Sequence, residues 1–155
     1  RQAKQIEAAI AAAEQRLQRT PGEDDVAEQL GITIGEYHEW LVEIRGLNIA
    51  SLEYGASEDG KDLLLYIPDE GERLPSMQLE RSELERLLAK GIGEIPAIEQ
   101  TVLSLYYKEE LTLREIAQVV NLHESRISQL KSQAILRLRS HMAEQWPTSR
   151  GMVTA

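Results

Sequence analysis

The stretch that decides the fold runs from Leu111 to Arg139 and reads "LTLREIAQVVNLHESRISQLKSQAILRLR". Apolar residues recur in it every three or four positions, on both sides of a break at Asn121. In the first half they are Leu113, Ile116, Ala117 and Val120, and in the second half Ile127, Leu130, Ala134 and Leu138. This spacing predicts two amphipathic helices, each with one face turned inward.

The sequence also predicts where these two helices begin and end. Thr112 is the predicted N-cap of the first helix, because its hydroxyl can accept a hydrogen bond from a free backbone N–H. Asn121 tolerates the left-handed conformation that ends a helix. The second helix is predicted from about Glu124 to His141. Two short helices joined by a tight turn are the pattern of a helix-turn-helix, whose second helix reads DNA in DNA-binding proteins, although the same pattern also occurs in proteins that never touch DNA.

The outward face of the second helix carries short or amide side chains, where a solvated face usually favours Glu and Lys. Such side chains can approach base edges in the major groove and offer donors and acceptors there. The predicted base-reading residues are Ser125, Arg126, Ser128, Gln129, Ser132 and Gln133. Leu136 falls on the same side, either as a partly covered surface leucine or as a contact for a partner.

The charge of the chain is unevenly distributed. The whole chain has a formal net charge of −9, which alone argues against nucleic acid. Residues 1–110 carry 11 basic against 23 acidic side chains, whereas residues 111–155 carry 6 against 3. The basic residues of the helix-turn-helix lie where a phosphate backbone would pass: Arg114, Arg126, Lys131, Arg137 and Arg139. Only the C-terminal piece is therefore predicted to bind a polyanion.

Composition excludes several other classes of protein. The 155 residues suffice for one ordinary domain or two small ones, and 42% apolar with 28% charged residues is typical of a soluble globular chain. No apolar run approaches the roughly 18 residues of a membrane span. The absence of cysteine excludes disulfides and thiolate metal sites. The first residues lack the features of a secretory signal, so we expect a cytoplasmic protein, and the missing initiating Met suggests further sequence upstream.

Residues 1–46 are predicted to form a three-helix bundle. The first helix covers residues 1–19, and Thr20 and Pro21 are predicted to cap and begin the second, which stops at Gly31. The third runs from about Thr33 to Arg45. Three short helices with one apolar stripe each need one another to cover those stripes.

The rest of the chain divides into a linker, a second domain and a tail. Residues 47–76 are acidic and rich in turn residues, which is typical of a linker. Residues 77–142 are predicted to form the second domain, with one helix ending near Gly91 and another opened by Pro96. Residues 143–155 are predicted to be a flexible tail. The predicted fold class is therefore all-α, with two small helical domains joined by an acidic linker and a helix-turn-helix in the second.

No other cluster of residues predicts a reactive site. The three histidines, His38, His123 and His141, are far apart in sequence, so no metal site is predicted. A Gly-rich phosphate loop and a nucleophile with a base nearby are both missing from the sequence, so neither catalysis nor a cofactor is predicted.

Longer stretches carry a family resemblance. The sequence "IPAIEQTVLSLYYKEELTLREIAQVVNLHESRISQLKSQAILRLR", residues 95–139, resembles region four of bacterial sigma factors of the sigma-70 family. Residues 1–41 are similar to region three of those proteins, and "ASLEYGASEDGKDLLLYIPDEGE" is similar to the acidic linker between the two regions. Within the family, "LTLREIA" and "ESRISQLKSQAILRLR" look most like the flagellar and sporulation-associated group.

This resemblance implies a function. Members of the family direct RNA polymerase core to promoters, and the second helix of region four reads the −35 element of double-stranded promoter DNA. It implies contacts with the DNA backbone by Thr112 and Arg114, in addition to those predicted above for Lys131 and Arg137 from their position on the helix-turn-helix. It also implies control by an anti-sigma factor. Region two, which reads the −10 element, has no counterpart in these 155 residues.

Two alternatives stay open at this level. The chain could serve mainly as a protein-interaction module, held by an anti-sigma partner through its linker and helix faces. It could also be a helix-turn-helix regulator unrelated to polymerase. That regulator would have to dimerise to read two half-sites, and the sequence offers no obvious dimer helix.

Overall fold

The computed structural model describes residues 1–44 and 75–154, with side chains for residues 1–44 and 82–145. These ranges contain seven α-helices and no strand, which confirms the all-α prediction for them. The helices are α1 (Gln2–Leu17), α2 (Glu23–Leu30), α3 (Ile34–Glu43), α4 (Pro75–Glu94), α5 (Ala97–Leu103), α6 (Leu113–Val120) and α7 (Glu124–Thr154). A π-helical turn, Ser104–Lys108, follows α5. No helix in these ranges is long and apolar enough to cross a membrane.

Helices α1 to α3 lie within the segment predicted as a three-helix bundle and share an apolar core, with one difference from the prediction at the start of α2. Thr20 and Pro21 precede that helix instead of starting it, because Gly22 is its N-cap and Asp25 accepts the Gly22 N–H at 2.9 Å. The predicted stop at Gly31 is confirmed by its left-handed conformation (φ 75°). Thr33 caps α3 by accepting the Glu36 N–H at 3.1 Å. Much of the predicted linker, residues 47–74, lies outside the described residues, and the domain boundaries stay a prediction.

Helix α4 continues past Gly91, where the sequence predicted its end. The glycine serves close packing instead of termination. A Cβ built at position 91 would lie 2.8 Å from the His141 ring carbon Cδ2 and 3.2 Å from a Leu138 methyl. Glycine therefore lets the backbone of α4 approach α7 more closely than any other residue would.

Helix α7 is longer than predicted, because it runs on beyond His141 to Thr154. Ala143, Glu144 and Gln145 follow His141 and are all good helix formers, which favours continuation of the helix there. The backbone of the predicted tail, residues 143–155, is thus helical as far as residue 154.

Helix α7 is the central element of the described structure, because it contributes to all three apolar clusters. One cluster joins it to α4 and α5 through Ala134, Ile135 and Leu138. A second joins it to α5 and α6 through Ile127 and Leu130. The third is the core of α1 to α3, and α7 supplies Leu136 to it. The predicted inward face of α7 is confirmed, whereas the prediction of a surface position for Leu136 is wrong, since this side chain is fully buried.

Candidate nucleic-acid interface

The helix-turn-helix has the local structure that its sequence predicts. The Thr112 hydroxyl accepts the Glu115 N–H at 3.1 Å, and a Glu115 carboxylate oxygen accepts the Thr112 N–H at 2.8 Å. This reciprocal capping box fixes the start of α6. Asn121 ends the helix in the left-handed conformation (φ 61°), and the Leu122 N–H donates to the Ala117 carbonyl at 3.0 Å. The direction in which α7 leaves the turn is therefore set by backbone hydrogen bonds.

The predicted DNA-contacting residues differ in their exposure. Thr112, Arg114 and Ser125 are exposed at the starts of α6 and α7. Arg126 and Gln129 are half-buried. Buried members of the set are Ser128, Lys131, Ser132, Gln133 and Arg137. All of these residues thus lie on one helix-turn-helix. The fully exposed ones are those at the N-terminal ends of α6 and α7, which together form the N-terminal edge of the motif.

Residues of α1 to α3 cover the buried part of this face, beginning with Tyr37. The Tyr37 hydroxyl donates to Gln133 Oε1 at 2.7 Å. Burial raises the pKa of Tyr37 well above its ordinary value, so this phenol is a hydrogen-bond donor at any working pH. The Gln133 oxygen that could accept a hydrogen bond from a DNA base therefore already accepts one from a residue of α3.

Glu99 of α5 lies beneath Gln133 and Arg137. Gln133 Nε2 donates to Glu99 Oε2 at 2.5 Å, and Arg137 Nε lies 3.1 Å from Glu99 Oε1. Burial raises the pKa of the Glu99 carboxyl, and Arg137 and Gln133 counter only part of that effect. Arg137 also donates through Nη1 to the Pro21 carbonyl at 2.5 Å. Its guanidinium is thus fully enclosed by α5 and by the segment before α2.

Glu99 was missed by the sequence prediction, although a signal for it exists. It stands three positions before Val102 and four before Leu103, both of them buried in α5. A lone carboxylate on an apolar stripe has to be paired when it is buried, so a cationic partner could have been sought. The sequence does not tell which cation that partner is.

Arg126 forms an ion pair with α2. Its Nη1 lies 2.8 Å from Glu23 Oε2 and donates to Gln129 Oε1 at 3.1 Å. His38 Nε2 lies 3.1 Å from the other Glu23 oxygen. Burial raises the pKa of Glu23, but the hydrogen bonds from Arg126 and His38 together bring it below its ordinary value. Glu23 is therefore a carboxylate that carries its charge at neutral pH.

Two further cations of α7 also have partners, one a carboxylate and the other an aromatic ring. Arg139 Nε lies 3.2 Å from Glu7 Oε2 of α1. Burial raises the pKa of Glu7, and the charges of Arg139 and Lys4 oppose that rise. Lys131 lies with Nζ 4.5 Å from the centre of the Tyr106 ring, a cation–π contact, and burial lowers the pKa of Lys131.

The described residues contain no group of three or more His, Cys, Asp or Glu side chains that could hold a metal ion. A small cleft between α1, α4 and α7 is lined by Glu14, Glu94, Arg137 and His141 among others. Across this cleft, His141 Nδ1 lies 3.7 Å from a Glu94 oxygen.

The chain is similar to known families and proteins over most of its length. The family described as "Sigma-70 region 3" matches residues 1–78, and "Sigma-70, region 4" matches residues 91–140. The chain is 39% identical over 144 residues to "RNA polymerase sigma factor FliA" of Escherichia coli K12, covering 93% of this chain and 60% of that protein. It is 39% identical over 139 residues to "RNA polymerase sigma-D factor" of Bacillus subtilis 168, covering 88% of this chain and 55% of the relative.

Among solved structures, "Cocrystal structure of the flagellar sigma/anti-sigma complex, Sigma-28/FlgM" aligns with a TM-score of 0.48 at 24% identity, covering 92% of this chain and 57% of that one. The chain thus spans about three fifths of the length of the FliA relative and somewhat less of the sigma-D relative.

Proposed function

Because the chain belongs to the sigma-70 family, with region 3 and region 4 matched in order along it, we propose that it is the promoter-recognition portion of an alternative sigma factor. In this role it directs RNA polymerase core to the −35 element of double-stranded promoter DNA for transcription initiation. It acts in the cytoplasm as a regulatory protein without enzymatic activity of its own. The FliA and sigma-D relatives support an assignment to the flagellar group.

The observation that carries this proposal is the helix-turn-helix within the region 4 match. Its turn is fixed by Asn121, and its N-terminal edge exposes Thr112, Arg114 and Ser125. In a helix-turn-helix the N-terminal residues of the second helix contact base edges, while the first helix crosses the backbone. Ser125, at the start of the second helix, is in the position of a base contact, and Thr112 and Arg114, at the start of the first helix, are in the position of backbone contacts. The polar side chains further along α7 belong to the same face and are buried in this structure.

An unrelated helix-turn-helix repressor is disfavoured by the family membership. The interaction-module alternative, in which an anti-sigma partner holds the linker and the helix faces, can coexist with promoter recognition in one protein.

The test of promoter recognition compares Gln129→Ala with Arg114→Ala. Gln129 is a half-buried amide on the proposed reading face, and Arg114 is an exposed cation at the start of α6. We expect Gln129→Ala to weaken binding to a −35 duplex from a flagellar promoter of the host by about 1–3 kcal/mol and to relax base choice. Arg114→Ala should weaken cognate and scrambled duplexes alike and flatten the salt dependence. Fluorescence anisotropy at fixed salt measures both.

The wild-type chain provides the decisive control, measured alone and as a complex with RNA polymerase core. Equal affinity of that complex for cognate and scrambled −35 duplexes would falsify the proposed function. A sequence-dependent loss in Arg114→Ala would contradict only its assignment to the phosphate backbone.

We also propose control by an anti-sigma factor that binds the region 4 part of the chain and excludes DNA. Two ligands that share one surface compete by simple linkage. Titration of the host's candidate anti-sigma protein into a complex of the chain with labelled −35 duplex should release the duplex. If both ligands bind together with unchanged affinities, inhibition acts elsewhere on the polymerase complex.

A further inference from the structure

The amide of Gln133, on the proposed reading face of α7, is held from two sides. Its Nε2 donates to Glu99 Oε2 at 2.5 Å, and its Oε1 accepts from the Tyr37 hydroxyl at 2.7 Å. A side-chain amide has a donor end and an acceptor end, so these two contacts define the direction of each. The nitrogen points toward α5, and the oxygen points toward α3.

The two contacts differ in the helices that provide them. Glu99 lies on α5, whose Val102 and Leu103 belong to the same apolar clusters as residues of α7. Tyr37 lies on α3, outside those clusters. When another partner replaces α3 on this face, the Gln133 oxygen loses its hydrogen bond, whereas the nitrogen keeps its bond to Glu99.

The charge of Glu99 decides which end of the amide faces it. Arg137 Nε lies 3.1 Å from Glu99 Oε1, and a cation this close favours the ionised carboxylate. An ionised carboxylate only accepts hydrogen bonds, so the end of the Gln133 amide that faces it has to be the nitrogen. Turning the amide over would place its oxygen against a carboxylate oxygen in a buried site, where neither acceptor would have a donor.

We propose that Glu99 is a positioning residue for base recognition: it holds the Gln133 amide with its oxygen outward, so that Gln133 selects a base with a hydrogen-bond donor in the major groove. Adenine and cytosine present such a donor, their exocyclic amino group, whereas the hydrogen-bonding groups of guanine and thymine there are acceptors. In the free chain the Tyr37 hydroxyl supplies this donor. The inference rests on the proposed function and deepens it by naming the bases that this position selects.

The test measures base preference while the chain is bound to RNA polymerase core. A set of −35 duplexes carries each of the possible base pairs at each position in turn, and the ratios of their affinities define the preference. We expect Gln133→Ala to abolish the preference at one position. There the wild type should favour adenine or cytosine over guanine or thymine on the contacted strand by about tenfold.

Glu99→Gln should relax the preference at that same position. A glutamine offers either an oxygen or an NH₂ group to Gln133, so it no longer fixes which end of that amide points outward. The double variant Glu99→Gln/Gln133→Ala should relax the preference no further than Gln133→Ala does, because both substitutions act on the same contact.

Glu109→Gln is the matched control, because Glu109 lies on the exposed turn after the π-helical segment and the substitution removes the same charge. It should leave every affinity ratio unchanged. A change in the fraction of chains that are able to bind DNA multiplies all affinities by one factor and cancels in the ratios. A purely structural role of Glu99 would therefore leave the base preference intact.

The exchange variant Glu99→Gln/Gln133→Glu keeps the test valid if Glu99→Gln alone folds poorly. It retains one carboxylate and one amide at this contact, so Arg137 and the amide nitrogen both keep an acceptor. The group that points outward from position 133 is then a carboxylate oxygen, which only accepts. We expect this variant to favour adenine or cytosine as the wild type does, with a lower affinity for all duplexes because a negative charge now faces the DNA.

The outcomes separate this proposal from the proposed function. Full preference in Glu99→Gln, at the position that Gln133→Ala relaxes, would overturn the proposal, and so would a wild-type preference for guanine or thymine there. If Gln133→Ala relaxes no position, Gln133 reads no base and the proposal is equally wrong. The proposed function fails in a different way, because the wild-type complex would then bind cognate and scrambled duplexes with the same affinity.

Discussion

Glu99→Ala should lower the free energy of unfolding by about 3–5 kcal/mol, the cost of removing one partner from a buried ion pair. The substitution leaves the Arg137 guanidinium and the Gln133 amide without the carboxylate that both contact. Both side chains are almost completely buried, so water cannot replace the lost acceptor. Urea denaturation followed by circular dichroism measures the loss.

Glu109→Ala is the matched control, because Glu109 lies on the exposed turn that follows the π-helical segment. Its removal should change stability by less than about 0.5 kcal/mol. A loss in Glu99→Ala no larger than in this control would mean that Arg137 finds another acceptor and that Glu99 is dispensable for the arrangement.

Leu136→Ala has the second largest expected effect, a loss of about 2–5 kcal/mol. The side chain is fully buried in the core of α1 to α3, and its removal leaves a cavity between those helices and α7. Leu122→Ala is the control, since Leu122 is 40% exposed in the turn of the helix-turn-helix. Thermal unfolding of both variants supplies the comparison. Equal, small losses would show that α7 is not held by α1 to α3 in the free chain, as expected for independently folding domains.

Local signals along the chain predicted the helix-turn-helix well. The Thr112 cap, the left-handed Asn121 and the inward face of α7 all follow from interactions within a few residues of one another. Such interactions depend on backbone geometry and on apolar periodicity, both of which are readable in a single sequence. The start of α3 near Thr33 was predicted from the same kind of signal, and the structure adds that Thr33 is its cap.

The burial of the opposite face of α7 was not predictable in this way. Hydrophobic periodicity reports which face is apolar, and Ser128, Ser132 and Gln133 are polar. Their partners lie far away in sequence: Tyr37 is 96 positions from Gln133, and Pro21 is 116 from Arg137. Pairing over such distances depends on how the helices pack, and one sequence contains many carboxylates that could serve each arginine. For the same reason Leu136 was expected at the surface.

The membership of α7 in three separate cores has a consequence for synthesis of the chain. Helices α1 to α3 leave the ribosome before α7, and the leucine that completes their core is made roughly 90 residues after α3 ends. At typical translation rates of about 5–20 residues per second, that interval lasts about 5–20 s. During this time the apolar side chains that later surround Leu136 face water or other proteins. A nascent chain stalled before residue 136 should therefore bind chaperones that recognise exposed apolar surface, and should release them once α7 has been made.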